Sequence, residues 1–124
     1  MNAIDNDTLT RWLEAYGRAW ETRDADLVAT LFTGDASYQE TPYAEPFRGR
    51  DGVHAYWSRV TADQRDIAFS FEIIATAGMT GIAQWSSKFR SVSGDSRVEL
   101  NGVFVLEFAS AGEVRSLREW WHVR

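Results

Sequence analysis

The chain has 124 residues, a formal net charge of −5 and no cysteine. This length predicts one domain, residues 1–124, with a core large enough for a single site. The acidic balance, with no cluster of basic residues, argues against nucleic acid and anionic membranes as partners, and the missing cysteines exclude disulfides and thiolate ligands.

The N-terminal segment carries no targeting or membrane signal. No apolar run approaches the roughly 18 residues of a membrane span, and residues 1–10 lack the basic-then-apolar order of a signal peptide. We therefore expect a cytoplasmic protein.

The first predicted element is an amphipathic helix with Asp7 or Thr8 as its cap, ending near Arg23. Its apolar residues recur at spacings of three and four, which places them on one face of a helix. They are Leu9, Trp12, Leu13, Tyr16 and Trp20.

Two further helices are predicted in the first half. A short helix follows Asp24 as its cap, includes Phe32 and stops at Gly34. Another helix follows Gly49, with Asp51 as its candidate cap.

The remaining elements are strands. A short strand is predicted at 36–40, between the second and third helices. After Asp66 the apolar periodicity changes from helical to alternating, which is typical of half-buried strands. Short turns connect these strands, so they predict an antiparallel meander. The strands are expected at 67–75, 82–92, 98–108 and 114–123.

This order predicts an α+β fold in which a curved antiparallel sheet wraps over three N-terminal helices. Long twisted strands that curl over helices form a cone with an apolar internal pocket. One site inside that pocket is the most that we expect.

The first candidate acid–base residue lies in the segment 36–57, ASYQETPYAEPFRGRDGVHAYW. Glu40 stands among aromatic and apolar residues just before Thr41-Pro42, a step that removes a backbone donor and favours extended backbone. If the strand faces a cavity, desolvation would raise the pKa of Glu40 and make it a general acid or base. The alternative is a solvated carboxylate paired with Arg48 or Arg50, which contributes little.

The second candidate acid is Glu119. Strand alternation puts it on one face with Leu117 and Trp121. If that face is concave, two carboxylates share one pocket, and their pKa values move apart. The alternative is an ion pair with Arg115 or Arg118.

Several segments resemble one family. DADLVATLF, GDASYQETPYAEPFRG, GRDGVHAYW and LREWWH resemble the SnoaL-like, ketosteroid isomerase-like branch of the superfamily that includes limonene epoxide hydrolases and nuclear transport factor two. The resemblance covers nearly the whole chain and implies the cystatin-like, nuclear transport factor two-like cone. This fold hosts isomerases, cyclases, hydrolases, dehydratases and non-catalytic members, so the resemblance leaves the reaction open.

The resemblance also suggests roles for individual residues. Compared with ketosteroid isomerases, Glu40 takes the place of the proton-shuttling Asp, and Tyr16 that of the Tyr that donates to the oxyanion. Phe104 stands where that family keeps a protonated Asp. Compared with epoxide hydrolases, Glu119 resembles the acid of the last strand, but Gln84-Trp85-Ser86 replaces its Arg and Asp partners. Tyr16 is also read as a core residue of the first helix, and the two readings are compatible.

A set of aromatic and apolar side chains is predicted to bind the substrate, although the same residues could form core. No cofactor motif is present, and His54 and His122 lack partners at metal-ligand spacing, so no metal is expected. The predicted substrate-binding residues are Tyr56, Trp57, Trp85, Phe89, Phe104, Leu117 and Trp121.

The opposite face of the last strand predicts an interface. Arg118, Trp120 and His122 share that face, with Val103 and Val105 on the neighbouring strand. An exposed patch of this kind usually marks an interface, so a homodimer through the convex face of the sheet is predicted.

Together these features lead to two hypotheses. The first is a cofactor-independent isomerase, cyclase or dehydratase that acts on an apolar, carbonyl-containing small molecule, with Glu40 as base, Tyr16 as oxyanion donor and Glu119 as second acid. The alternative is a non-catalytic domain that binds a hydrophobic ligand or dimerises.

Overall fold

The computed structural model describes residues 3–124, and Met1 and Asn2 of the predicted domain lie outside the described residues. The described part contains three α-helices and a six-stranded sheet, which confirms the predicted α+β class with a curved sheet and three helices. The helices are α1 (Asn6–Glu21), α2 (Ala25–Thr30) and α3 (Gly49–Val60). The strands are β1 (Phe32–Gln39), β2 (Phe47–Arg48), β3 (Gln64–Ala77), β4 (Thr80–Ser91), β5 (Ser96–Phe108) and β6 (Val114–Val123).

The sheet has the order β2-β1-β6-β5-β4-β3. Strands β3 to β6 form the predicted antiparallel meander. Strand β1 instead pairs with β6 in parallel, with Tyr38 opposite Leu117. The sheet that the sequence predicted as antiparallel is therefore mixed, with β1 and β6 as its parallel pair.

The apolar stripe of α1 is buried as predicted, but the cap is a different residue. The side chain of Asp5 accepts a hydrogen bond from the Thr8 amide at 2.8 Å, so Asp5 is the cap in place of Asp7 or Thr8. This bond also lowers the pKa of Asp5. The helix ends at Glu21, two residues before the predicted end.

Strand β1 begins earlier than the sequence predicted. Helix α2 ends at Thr30, and Phe32 opens β1 instead of closing the helix. Gly34 lies inside β1, so it does not stop a helix. The reason is tertiary: Phe32 pairs with Val114 on β6, and this long-range pairing overrides an apolar pattern that suits either element.

Helix α3 begins at Gly49 itself, earlier than a cap at Asp51 would place it, and it has no side-chain cap. Arg48 occupies the cap position and makes no capping hydrogen bond. Asp51 lies in the first turn, where its negative charge favours the positive end of the helix dipole. The predicted cap at Asp51 is therefore wrong.

Strand β3 contains an irregularity that the alternating pattern did not predict. Ile73 pairs with Ala83 and Ala75 pairs with Ile82, so Ile74 is an extra residue, and its side chain is exposed. The bulge moves Ala75 to the outer face, although the sequence placed it on the inner one.

Neighbouring strands of the sheet approach each other closely at β5. Gly102 of β5 marks the tightest approach, since a Cβ built there would lie 2.5 Å from the Trp120 carbonyl oxygen and 2.9 Å from the Trp85 ring. The aromatic ring of Phe104 stacks on that of Trp85 at 5.2 Å. None of the helices in residues 3–124 is long and apolar enough to span a membrane.

Candidate functional site

A cavity of about 220 Å³ lies between α1, α3 and the inner face of the sheet. Eight of its lining residues are aromatic: Tyr16, Trp20, Tyr38, Tyr56, Trp57, Trp85, Phe89 and Trp121. The polar lining residues are Glu40, Gln64 and Glu119, and the aliphatic ones are Val60, Leu100 and Val123. The cavity thus combines apolar walls with two carboxylates.

Glu119 occupies the middle of β6 and faces inward. Alternation along β6 buries Leu117 and Glu119 and exposes Arg118 and Trp120, as the sequence predicted. Glu119 is 6% exposed. Arg118 lies over the Trp120 ring on the outer face, 5.7 Å from its centre. In the described chain no ion pair joins Glu119 to Arg115 or Arg118.

Burial raises the pKa of Glu119 from 4.5 to about 8. A hydrogen bond from Tyr38 works in the opposite direction, because it favours the charged carboxylate. The negative charge of Glu40 adds to the upward shift by repulsion. Glu119 is therefore a neutral acid at neutral pH, which can donate a proton or a hydrogen bond.

Tyr38 connects Glu119 to Tyr16. The hydroxyl oxygens of Tyr16 and Tyr38 lie 2.8 Å apart in a buried hydrogen bond. Burial raises the pKa of both hydroxyls well above the ordinary value, and the negative charge of Glu119 raises it further, so both stay protonated. Sequence reasoning missed Tyr38. Its position two residues before Glu40 would have placed it on the same strand face.

Glu40 follows the last residue of β1 at the edge of the cavity. Its carbonyl oxygen accepts a hydrogen bond from the Trp121 indole at 3.1 Å. The adjacent Gln39 side chain donates to the Ala44 carbonyl at 2.8 Å and closes the loop that follows. Within residues 3–124, Glu40 forms no ion pair with Arg48 or Arg50, and Arg50 pairs with Glu113 at 2.6 Å.

Most predicted substrate-binding residues line the cavity, and two do not. Tyr56, Trp57, Trp85, Phe89 and Trp121 are lining residues. Phe104 and Leu117 are fully buried and lie outside the lining. Phe104 instead supports the wall from behind, with its ring centre 5.3 Å from that of Tyr16.

Gln64 and Tyr56 line the cavity together with Glu40 and Glu119. Gln64 was missed by sequence reasoning, and its side-chain oxygen accepts a hydrogen bond from the Trp20 indole at 2.7 Å. Tyr56 faces both carboxylates: burial raises the pKa of its hydroxyl, and the charges of Glu119 and Glu40 raise it further. His54 lies outside the lining and contacts Asp26 at 2.8 Å. No cluster of three or more metal-ligating side chains occurs in the described part of the chain.

The arrangement supports proton transfer. Glu119 holds a proton at neutral pH and interacts with Tyr38, whose hydroxyl is hydrogen-bonded to that of Tyr16. Glu40 offers a second carboxylate in the same cavity. One acid and one carboxylate that accepts protons, facing a common apolar space, are the groups that general acid–base catalysis requires.

Comparison with known proteins gives consistent results. The SnoaL-like domain family matches residues 13–117. The Steroid Delta-isomerase of Nocardioides simplex is 23% identical over 94 residues, which are 76% of this chain and 73% of that protein.

Solved structures share the fold. The epoxide hydrolase/cyclase-like enzyme SalBIII, which has a role in pyran ring formation in the polyether salinomycin, superposes with a TM-score of 0.79 at 21% identity, over 95% of this chain and 93% of that one. A hypothetical protein with a ketosteroid isomerase-like fold from Catenulispora acidiphila DSM 44928, in complex with trimethylamine, gives a TM-score of 0.77 at 15% identity, over 94% and 86%. At these identities the likeness concerns the fold alone.

Proposed function

We propose, because this chain belongs to the SnoaL-like domain family, that it is a cofactor-independent acid–base enzyme acting on a small carbonyl-containing molecule. The observation that carries the proposal is the placement of a neutral acid, Glu119, in the same cavity as Glu40. Proton abstraction next to a carbonyl needs both a base and a donor for the developing oxyanion.

In the proposed reaction Glu40 removes a proton from the carbon beside the carbonyl group. The electron pair of the broken C–H bond moves toward the carbonyl oxygen and forms an enol or enolate. A hydrogen bond from Tyr16 stabilises that oxygen, and Glu40 then returns the proton to a different carbon. In a β,γ-unsaturated ketone this moves the carbon–carbon double bond next to the carbonyl group, and no atom is gained or lost. Cyclisation and dehydration use the same pair with a different leaving or attacking group.

The register of the sheet supports Glu119 as the acid of this pair. Phe104, which stands where ketosteroid isomerases keep a protonated Asp, lies directly opposite Glu119 in the β5–β6 pairing. The neighbouring strand therefore supplies a carboxyl group next to the place where the resemblance predicts one. Burial in an apolar wall keeps it neutral, as that role requires.

Tyr16 fits the role of oxyanion donor through the hydrogen-bond chain. When Glu119 is protonated it can donate to Tyr38, which then donates to Tyr16, and the Tyr16 hydrogen is left for the ligand. When Glu119 is ionised, Tyr38 donates to Glu119 and Tyr16 donates to Tyr38. The ability of Tyr16 to stabilise an oxyanion thus depends on the proton of Glu119.

The experiment uses a small β,γ-unsaturated ketone, 3-cyclohexenone, whose conversion to the conjugated isomer is followed by ultraviolet absorption. We expect wild-type protein to accelerate the conversion, and Glu40→Gln and Glu119→Gln each to lower the rate by about 10²–10⁴-fold. Glu45→Gln is the matched control, since it removes one charge from an exposed residue outside the cavity lining. Unchanged rates in both cavity variants would refute the proposal.

The alternative proposal is a binding domain without turnover. Its support is the cavity itself, whose walls are mainly aromatic. The C. acidiphila protein, which shares the fold, forms a complex with the small molecule trimethylamine. A ligand that co-purifies and is released chemically unchanged after long incubation would favour this alternative over catalysis.

We also propose a homodimer through the outer face of the sheet. Trp120 is 43% exposed there and pairs across the strands with Val103. A large exposed aromatic side chain on an open sheet face is typical of an interface. Sedimentation equilibrium is expected to give a dimer for wild type and a monomer for Trp120→Glu, and a monomeric wild type would contradict this proposal.

A further inference from the structure

The charge of the cavity wall is one-sided. Two carboxylates, Glu40 and Glu119, are among its lining residues, and no Lys, Arg or His is. Neither carboxylate takes part in an ion pair within residues 3–124. A carboxylate in an apolar site is costly unless an opposite charge accompanies it. Because Glu119 is the neutral acid of the pair, Glu40 is the carboxylate that a counter-charge would accompany. No basic side chain of the described chain lines the cavity beside it, so a cationic ligand can supply that charge.

Arg59 is a basic residue that lies close to one lining residue, Tyr56, but does not itself line the cavity. The guanidinium of Arg59 lies over the rings of Phe47 and Tyr56, at 5.8 and 5.9 Å from their centres. Arg59 is exposed, and it is absent from the lining residues. The Tyr56 ring, which lines the cavity, therefore already lies close to one cation.

The aromatic walls present their faces in several directions. Trp57 meets three neighbouring rings nearly at right angles: 88° with Tyr16, 71° with Trp20 and 80° with Tyr56. These rings therefore do not share one plane, and all four residues are among the lining residues of the cavity. The negative faces of Trp and Tyr attract cations, and several faces around one space select alkylated ammonium groups.

We infer that the cavity binds a small organic cation of the alkylammonium class, with its charge against the aromatic walls and Glu40 as counter-ion. The inference rests on the proposed function, because it concerns the same cavity, and it adds that the substrate carries a protonated or quaternary amine. Size agrees: the cavity of about 220 Å³ lies below the roughly 300–1,000 Å³ of pockets that hold drug-sized ligands. Anionic ligands are disfavoured by repulsion from Glu40.

The test compares two probes of the same shape and different charge, choline and 3,3-dimethylbutan-1-ol. Their binding is measured by isothermal titration calorimetry at neutral pH and low salt. We expect choline to bind about tenfold more tightly than its neutral isostere, the preference that cation–π attraction and one nearby carboxylate provide. Equal affinities, tighter binding of the neutral alcohol, or no binding of either would overturn the inference.

Matched variants assign the preference to charge and to ring faces. Glu40→Gln is expected to reduce the choline preference several-fold, whereas Glu45→Gln removes the same charge away from the cavity and leaves the preference unchanged. Tyr56→Phe keeps the ring and the preference, and Tyr56→Leu lowers it. Circular dichroism checks that each variant is folded. A preference that survives both Glu40→Gln and Tyr56→Leu in folded protein would contradict the inferred site.

The outcome is separable from that of the proposed function. If 3-cyclohexenone conversion depends on Glu40 and Glu119 but choline shows no preference, the inference fails and the acid–base proposal stands. If choline is preferred and neither glutamate affects conversion, the cavity is a cation site and the acid–base proposal fails.

Discussion

The two glutamates of the cavity have the same side chain but opposite surroundings. Glu119 lies in the middle of β6, between paired strands and beneath aromatic rings, and burial raises its pKa to about 8. Glu40 lies one residue beyond β1, at the start of a loop and only partly buried. The same residue type is thus buried at the middle of one strand and partly exposed just beyond the end of another, and burial is what raises the pKa of Glu119.

The cause is access to water. A side chain in the middle of a strand that faces the core exchanges solvent for its neighbours, which disfavours the charged form. A residue at a strand end keeps part of its hydration. Repulsion from the negative charge of Glu40 adds to the upward shift in the pKa of Glu119.

The largest expected effect concerns the packing of the Glu119 wall. Gly102→Ala places a Cβ against the Trp120 carbonyl and the side chains of Trp85 and Trp121. We expect a loss of about 3 kcal/mol in the free energy of unfolding, from overpacking. Urea denaturation measures it.

Gly34→Ala is the matched control on β1, the strand that leads to Glu40. Nothing lies within 4 Å of its Cβ position. We expect a change within about 0.5 kcal/mol. Equal losses in the free energy of unfolding would show that packing around Gly102 is no tighter than packing around Gly34.

The second expected effect is that the free energy of unfolding depends on pH because of Glu119. Its pKa is raised from 4.5 to about 8 on folding, so between these values the folded state holds a proton that the unfolded state releases. The free energy of unfolding must then fall as pH rises through this window, by up to about 1.4 kcal/mol per pH unit. Glu119→Gln is expected to flatten that fall and to be more stable than wild type at alkaline pH.

Denaturation at a series of pH values measures this slope. Glu40→Gln serves as the comparison, because it leaves the buried acid in place and should retain most of the slope. A wild-type slope that Glu119→Gln leaves intact would assign the pH dependence to other groups.

A smaller effect is expected from the hydrogen bond that Tyr38 donates. Tyr38→Phe removes the contact that favours the charged form of Glu119. The pKa of Glu119 should therefore rise further. Titration of the carboxyl carbon by nuclear magnetic resonance measures the shift, and a fall in the pKa would contradict the assigned direction of the bond.

The smallest effect is expected from the charge at Glu40. Glu40→Gln removes the repulsion, so the pKa of Glu119 should fall, and by less than Tyr38→Phe raises it, because the Tyr38 bond is the larger cause. Glu45→Gln, which removes an exposed charge outside the lining, should leave the same carboxyl signal unmoved. A response to Glu45→Gln equal to that of Glu40→Gln would mean that the two glutamates do not interact specifically.

Alternation and spacing predict much of this molecule, because they record burial directly. The period of two along β6 places Glu119 on the inner face, and the helical spacing in α1 places Tyr16 in the core. Both residues line the cavity. Where buried and exposed side chains alternate regularly, the sequence alone identifies the residues that face the core.

Features set by long-range pairing have no such local signal. The parallel pairing of β1 with β6 joins residues far apart in sequence, and it draws Phe32 into a strand. The link from Tyr16 through Tyr38 depends on the approach of α1 to β1, which no pattern within either element records. The bulge at Ile74 similarly arises from the register with β4.

The proposed acid–base function requires that Glu119 keep its proton at neutral pH in the cavity that it shares with Glu40. The most direct measurement is a titration of the Glu119 side-chain carboxyl by carbon-13 nuclear magnetic resonance, with the signal assigned by its absence in Glu119→Gln. We predict a midpoint near the pKa of about 8. A midpoint near the ordinary value of 4.5 would show that the group is ionised at neutral pH, and Glu119 could then not be the neutral acid of the proposed reaction.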